Sequence, residues 1–321
     1  MSIIAGIDEA GYGPTIGPFV LSSVVMDVPA QHGCEADIWH MLKDAISDKV
    51  QKRMNRIVVN DSKKIYQQKN GMKILEEAVL SFIWCMKGKV TRFSDLLRLL
   101  SNHNGEVLDK YPWYKGKDLS LPVASNVSAI LNYADLIKHT IRSQGANMLD
   151  IKSIFLCAKE INTQISLNGN KSLLLFKNCV SHLKEILEDF GEHGPKVLVD
   201  KHGGRNYYHD LLAGSFKDCK VNVISEGRSI STYKIDNERR KMNVSFVEKA
   251  DSKYFPTALA SMLSKYLREL SIRLFNTFWQ EKVQGIKPTA GYPEDAKRFL
   301  SQIHDTKNEL GISDDILVRV K

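Results

Sequence analysis

The chain has 321 residues, 43% of them hydrophobic, enough to bury a core as one large domain or two modest ones and too many for a disordered chain. Lys and Arg outnumber Asp and Glu by 45 to 37, and the resulting charge of +8 suits a polyanionic partner, because basic side chains gain affinity by displacing counterions from phosphates. No apolar run approaches the roughly 20 residues of a membrane span, an early acidic pair interrupts what a signal peptide would keep apolar, and five scattered cysteines without a Cys-x-x-Cys give no disulfide framework or zinc site. A protein of the reducing cytoplasm, with no membrane contact, is expected.

In chain order, Ile3 to Ile7 and Pro18 to Met26 are β-branched apolar runs around a Gly/Pro-rich turn and read as two paired strands. Ala78 to Val90 contains a third strand candidate. Phe93 to Phe190 is mostly helical in spacing, with Ile154 to Leu156 a short strand. Lys196 to Val199 and Lys220 to Ile224 flank a helix, which favours parallel strands joined by a crossover. Glu226 to Phe246, carrying Arg228, Lys234, Arg239, Arg240 and Lys241, reads as a basic hairpin, suited either to tracking a phosphate backbone or to ordinary solvation of an edge. From Pro256, residues Leu259, Met262, Leu263, Tyr266, Leu267, Leu270, Leu274 and Phe278 recur at helical spacing, with Asp251 just before the helix's positive end.

Chemistry concentrates in Gly6-Ile7-Asp8-Glu9-Ala10-Gly11-Tyr12-Gly13, where a strand would deliver carboxylates for a divalent cation beside glycines that admit close backbone approach. An isolated Asp-Glu pair is usually a solvated corner. Three later segments change that: Asn60-Asp61-Ser62-Lys63-Lys64, Val197-Leu198-Val199-Asp200, and Lys249-Ala250-Asp251 before a long helix. With Gly291-Tyr292-Pro293 these segments stand in the order found in ribonuclease HII, and the chain resembles that family from about residue 2 to residue 300. Ser264-Lys265-Tyr266-Leu267-Arg268-Glu269 matches its Lys-x-x-Arg-Asp helix end with Glu for Asp.

The resemblance implies a ribonuclease H-like α/β fold: a mixed sheet of about five strands, the first three antiparallel and the rest parallel, flanked by helices. A catalytic domain would span 1–285, with a helical insertion around 93–150 and the basic hairpin at 226–246, followed by a substrate-binding extension at 286–321. It implies a monomeric endoribonuclease hydrolysing RNA in RNA-DNA hybrids or at embedded ribonucleotides. Asp8, Glu9, Asp200 and Asp251 would hold two Mg²⁺ or Mn²⁺ ions, while Gly11, Tyr12, Gly13, Lys63 and Tyr292 would grip substrate. Regular strand alternation separates Asp8 from Glu9, so both serve one site only if the following glycines let the chain turn and Glu9 reach in from the rim.

The family's Gly-Arg-Gly is here Gly11-Tyr12-Gly13, which removes a phosphate-pairing cation. The glycines and cations of Asp200-Lys201-His202-Gly203-Gly204-Arg205 could partly replace it, with Arg205 the candidate. A nucleic-acid-binding protein with altered activity, or a nuclease of different specificity, is the competing expectation. Asp61 reads as a turn residue rather than a metal ligand.

Overall fold

The computed structural model describes residues 2–29, 37–49, 55–101 and 105–320. Cys34 lies outside them. A seven-stranded sheet has the order β5-β2-β1-β6-β9-β8-β7, where β1 is Ser2–Ala10, β2 Phe19–Val28, β5 Asn147–Leu156, β6 Lys196–Asp200, β7 Lys220–Ser225, β8 Ile230–Asp236 and β9 Lys241–Val247. Short β3 (Ile46–Ser47) and β4 (Ile57–Val58) pair apart from it. β5, β2 and β1 are antiparallel, β1, β6 and β9 parallel, and β9, β8 and β7 antiparallel.

Seven strands replace the five expected, and two assignments change. The third strand is β5; Ala78 to Lys87 belongs to helix α3 (Gly71–Lys87), which is buried on most sides. A short apolar run bounded by glycine does not distinguish a buried helix from a buried strand. The parallel neighbour of β6 is β9, because the 226–246 segment forms the β8–β9 hairpin and takes that place, leaving β7 at the edge.

Alternation along the strands divides the core. Ile4, Val20, Val24, Leu198 and Val247 face the long helix α9 (Phe255–Lys282), whereas Ile3, Ala5, Ile7, Val197, Val199 and Phe246 face α7 (Lys171–Phe190). Helix α9 lies directly on β1: a Cβ at Gly6 would stand 2.1 Å from the Thr257 nitrogen. Helices α4 (Phe93–Leu100) and α5 (Val127–Ser143) are the α-helices of segment 93–150, whose last residues begin β5. From the C-terminal segment, Phe299, Ile303, Ile312 and Leu317 join the α9-side core. Among the described residues no helix is long and apolar enough to cross a membrane.

Candidate active site

Strands β1 and β6 run parallel with Ile7 paired to Val199, so Asp8 and Asp200 stand level at adjacent strand ends. Asp8 shares the face of Ile4 and Gly6, and Asp200 that of Leu198, which directs both toward α9. Ser264 of α9 donates to the Asp8 carbonyl oxygen at 3.0 Å, fixing the helix against this strand end. One Asp8 carboxylate oxygen accepts the Glu9 N–H at 2.8 Å, and one Asp200 oxygen accepts the Ala250 N–H at 2.8 Å. The second contact ties β6 to the 3-10 turn Ala250–Ser252, which carries Asp251.

Strand β1 stays regular through Ala10, with Asp8 opposite Ser22 and Glu9 opposite Leu21, so the turn expected at the following glycines begins only at Gly11, φ +87°, and leaves both carboxylates on extended strand. Glu9 therefore lies on the α7 side, where Cys179 and Tyr12 feel its charge, yet at the strand's end it also interacts with Asp200 and Lys63.

The electrostatics join all four acids. Burial, then the charges of Glu9, Asp200 and Asp251, raises the Asp8 carboxyl well above the usual carboxylate range. Burial and Asp200 bring Glu9 to about 7, and burial with Asp251 brings Asp200 to about 6 against the lowering effect of the Ala250 N–H. Asp251 is raised by burial and by Asp61. Burial pulls the Lys63 ammonium down, but Asp8, Glu9, Asp251 and Asp61 outweigh it and the net shift is upward.

Asp61 is the member of this cluster that sequence reasoning set aside. It caps helix α2 (Ser62–Tyr66) by accepting the Lys63 N–H at 2.8 Å, as a turn residue should, and its charge also reaches Asp200, Asp251 and Lys63. Ser62 and Ser261 hydroxyls, 2.9 Å apart, lock α2 onto α9 and so bring Lys63 to the acids.

All the acidic donors are oxygens, the set that Mg²⁺ and Mn²⁺ accept, and raised proton affinities mark a place where positive charge is wanted. The Ala250 N–H meets one Asp200 oxygen, whereas the Asp8 carboxylate is engaged by the Glu9 N–H and by the Ser261 side chain. Among the described residues no three His, Cys, Asp or Glu side chains, as they stand, already form a coordination shell. The donor chemistry fits a hard cation ahead of its geometry.

Around this cluster, Gly11 has φ +87°, and a Cβ there would lie 2.6 Å from the Pro18 oxygen and 2.8 Å from Arg268 Nε, so its glycine is an internal packing requirement. Gly13 has nothing within 4 Å of such a Cβ and faces open space. Tyr12 packs against the α7-side core between Glu9 and Arg205, its phenol raised by burial and Glu9 and lowered by Arg205. Arg205 thus stands near Tyr12, with one nitrogen donating to Ser172 at 2.8 Å and a buried Nε that has no partner.

Tyr292 is 51% exposed, on the far flank of the Gly11–Gly17 loop, where the Gly291 oxygen accepts the Thr15 and Ile16 N–H groups at 2.7 and 3.1 Å. Beneath that loop lies Arg319, buried and donating to the oxygens of Gly11, Pro14 and Gly17. A lone arginine near the chain's end carried no sequence signal for this role.

Of the two roles expected for the basic hairpin, the place of Arg239, Arg240 and Lys241 suits ordinary solvation rather than phosphate tracking. They lie at the β8–β9 turn, the opposite sheet edge from Asp200, and Arg240 pairs with Glu188 at 2.6 Å.

No family model and no curated protein matches the chain. Among solved structures it is similar to ribonuclease H2 from Pyrococcus horikoshii OT3, at 17% identity over 98% of this chain and 92% of that one, with a TM-score of 0.47. It is similar also to RNase HII from Archaeoglobus fulgidus, solved in complex with PCNA, at 13% identity over 99% and 94%, TM-score 0.42. Bst-RNase HIII, solved with Mn²⁺, matches at 14% identity over 99% and 66%, TM-score 0.44. The likeness is to ribonucleases HII and HIII. These overlaps are loose, and the chemistry of the site stands on its own side chains.

Proposed function

We propose that the chain is a divalent-cation-dependent endoribonuclease that hydrolyses the RNA strand of RNA-DNA hybrids, leaving 5′ phosphate and 3′ hydroxyl ends. The observation that carries this reading is Asp8 level with Asp200 on adjacent parallel strand ends, with Asp200 hydrogen-bonded to the turn bearing Asp251. Asp8, Glu9, Asp200 and Asp251 would hold the cations. Two bound Mg²⁺ or Mn²⁺ ions supply an activated water and neutralise charge on the phosphoryl oxygens.

The chain's own groups bind and orient. Lys63, among the acids yet exposed, meets a phosphate oxygen and limits anionic repulsion between site and substrate. The open space at Gly13 admits a sugar-phosphate backbone close to the main chain, where an N–H can engage a 2′-hydroxyl, the group that separates RNA from DNA. Exposed Tyr292 offers a ring to the neighbouring deoxyribose. Tyr12 in place of arginine weakens the grip on one phosphate, which favours runs of RNA over a single embedded ribonucleotide.

Incubation with Mg²⁺ or Mn²⁺ and three labelled duplexes, all-DNA, RNA-DNA hybrid and DNA with one ribonucleotide, tests this. The hybrid should be cut and the all-DNA duplex left intact. Binding without cleavage under either cation would instead support a nucleic-acid-binding protein, the reading favoured by the lack of a ready coordination shell among the described residues.

A further inference from the structure

A second feature shares the sheet edge with the carboxylates. Asp200 pairs with Val247 and Val247 with Ile230, so Ile230 occupies the same row, two strands from Asp200 or about 10 Å away at the usual strand spacing. Val247 faces α9, and Ile230, its partner, therefore emerges on the carboxylate side of the sheet. Ile230 is 39% exposed, Ile224 at the end of the edge strand 59% and Tyr207 72%; exposed Arg228 sits in the turn between β7 and β8. Ile230 emerges on the α9 side, Ile224 stands at the β7 bulge, and Tyr207 belongs to the segment that Ser231 and Tyr233 hold on the α7 side, so exposed apolar side chains line this strand-end rim on both faces without supporting the core.

The patch is tied to the site. Lys201, which follows Asp200, is buried, and its ammonium donates to Asn206 Oδ1 at 2.8 Å and to the Gly227 oxygen at 2.5 Å. Ser231 Oγ donates to the Asn206 oxygen at 2.6 Å, and the Glu248 N–H donates to the Ser229 oxygen at 2.9 Å. These contacts fasten segment 206–208 and the β7–β8 turn to the strand ends that present Asp200 and Asp251. Exposed Lys249 and Lys253 flank Asp251 in the segment that follows β9, and exposed Glu248 precedes them. Partly buried Glu226 is engaged by the Tyr233 hydroxyl.

We infer that Tyr207, Ile224, Ile230 and Arg228 form a second duplex-binding platform, which takes a nucleic-acid backbone and its sugar faces outside the position of cleavage. The inference deepens the nuclease reading and rests on it for the direction of the bound strand. About 10 Å corresponds to roughly three nucleotide rises at 3.4 Å each, so a duplex centred on the carboxylates extends over this patch. Cations flanking Asp251 and in the β7–β8 turn suit the phosphates, and the aromatic and aliphatic side chains suit sugar and base faces. A protein ligand would gain nothing from being in register with the acids.

The test uses the full chain carrying Asp8→Asn, so that binding is read without turnover. Fluorescence anisotropy would compare this protein with one that also carries Tyr207→Ala, Ile224→Ser and Ile230→Ser, on a labelled RNA-DNA hybrid long enough to cross the sheet edge. Affinity should fall about tenfold with the melting temperature unchanged. Arg228→Ala alone should lower the slope of log affinity against log salt by about one, which keeps the question decidable should the triple variant fold poorly. Unchanged affinity together with an unchanged slope would overturn the platform and leave the patch to a protein partner. Cleavage by the unmodified chain is scored separately: its absence would remove the nuclease reading, whereas the affinity loss would still uphold the platform.

Discussion

Gly11 and Gly13, two residues apart, answer different demands. Gly11→Ala must hold a left-handed φ while pressing on the Pro18 oxygen and Arg268, and should cost about 1–3 kcal/mol in chemical denaturation. Gly13→Ala meets no protein atom within 4 Å, so the melting temperature should stay put while KM for the hybrid rises. An equal loss of stability in both variants would remove substrate approach as the reason for Gly13. Asp8→Asn should bring cleavage to background with hybrid binding retained, and should raise the cation-free melting temperature, because it removes a charge that burial and three neighbouring acids disfavour. Asp8, Glu9, Asp200 and Asp251 were legible because each ends or begins an element in a recognisable order. Asp61 was not, since an N-cap aspartate has a complete local explanation and only the fold brings it to the other acids.

Helix α9 and strand β1 form the element pair on which the site depends. Pro256 and Thr257 backbone atoms would lie within 2.3 Å of a Cβ on Gly6, and backbone cannot swing aside as a side chain can. Gly6→Ala should therefore cost about 3 kcal/mol and depress cleavage as well, by shifting the turn that holds Asp251; full activity with wild-type stability would show that the helix has slack. The periodic apolar residues from Leu259 to Phe278 made α9 readable, and the β-branched runs did the same for β1 and β2. Strand β5 was glimpsed only at Ile154 to Leu156, because its first half alternates exposed and half-buried residues. The place of β9 beside β6 was hidden for another reason: which member of a hairpin docks on a sheet is settled by distant partners, not by its own residues.

For the molecule as a whole, basic composition was readable but its placement was not, and the cations at the β8–β9 turn fall far from the acids while Lys63 falls among them and Lys249 two residues from Asp251. Clustering also makes stability depend on pH. Glu9 and Asp200 bind protons up to about 7 and about 6 in the folded chain, and in the unfolded chain only up to about 4. Their contribution is fully present below the unfolded value and lost as pH rises through the folded ones. Without divalent cations the melting temperature should fall between about pH 4 and pH 7, and Mg²⁺ should restore it at the upper end by binding the folded state. Cleavage should rise as Asp200 and Glu9 ionise in the folded chain, at about 6 and about 7. A melting temperature that is flat with pH and indifferent to Mg²⁺ would separate these acids from one another.

Crystals soaked in Mn²⁺ and measured at its absorption edge test the convergence of the acids most directly. The account predicts anomalous density within ligating distance of the Asp8 and Asp200 carboxylates, lost in Asp8→Asn crystals. Density bound elsewhere, or none between these strand ends at a Mn²⁺ concentration that supports cleavage, would contradict it.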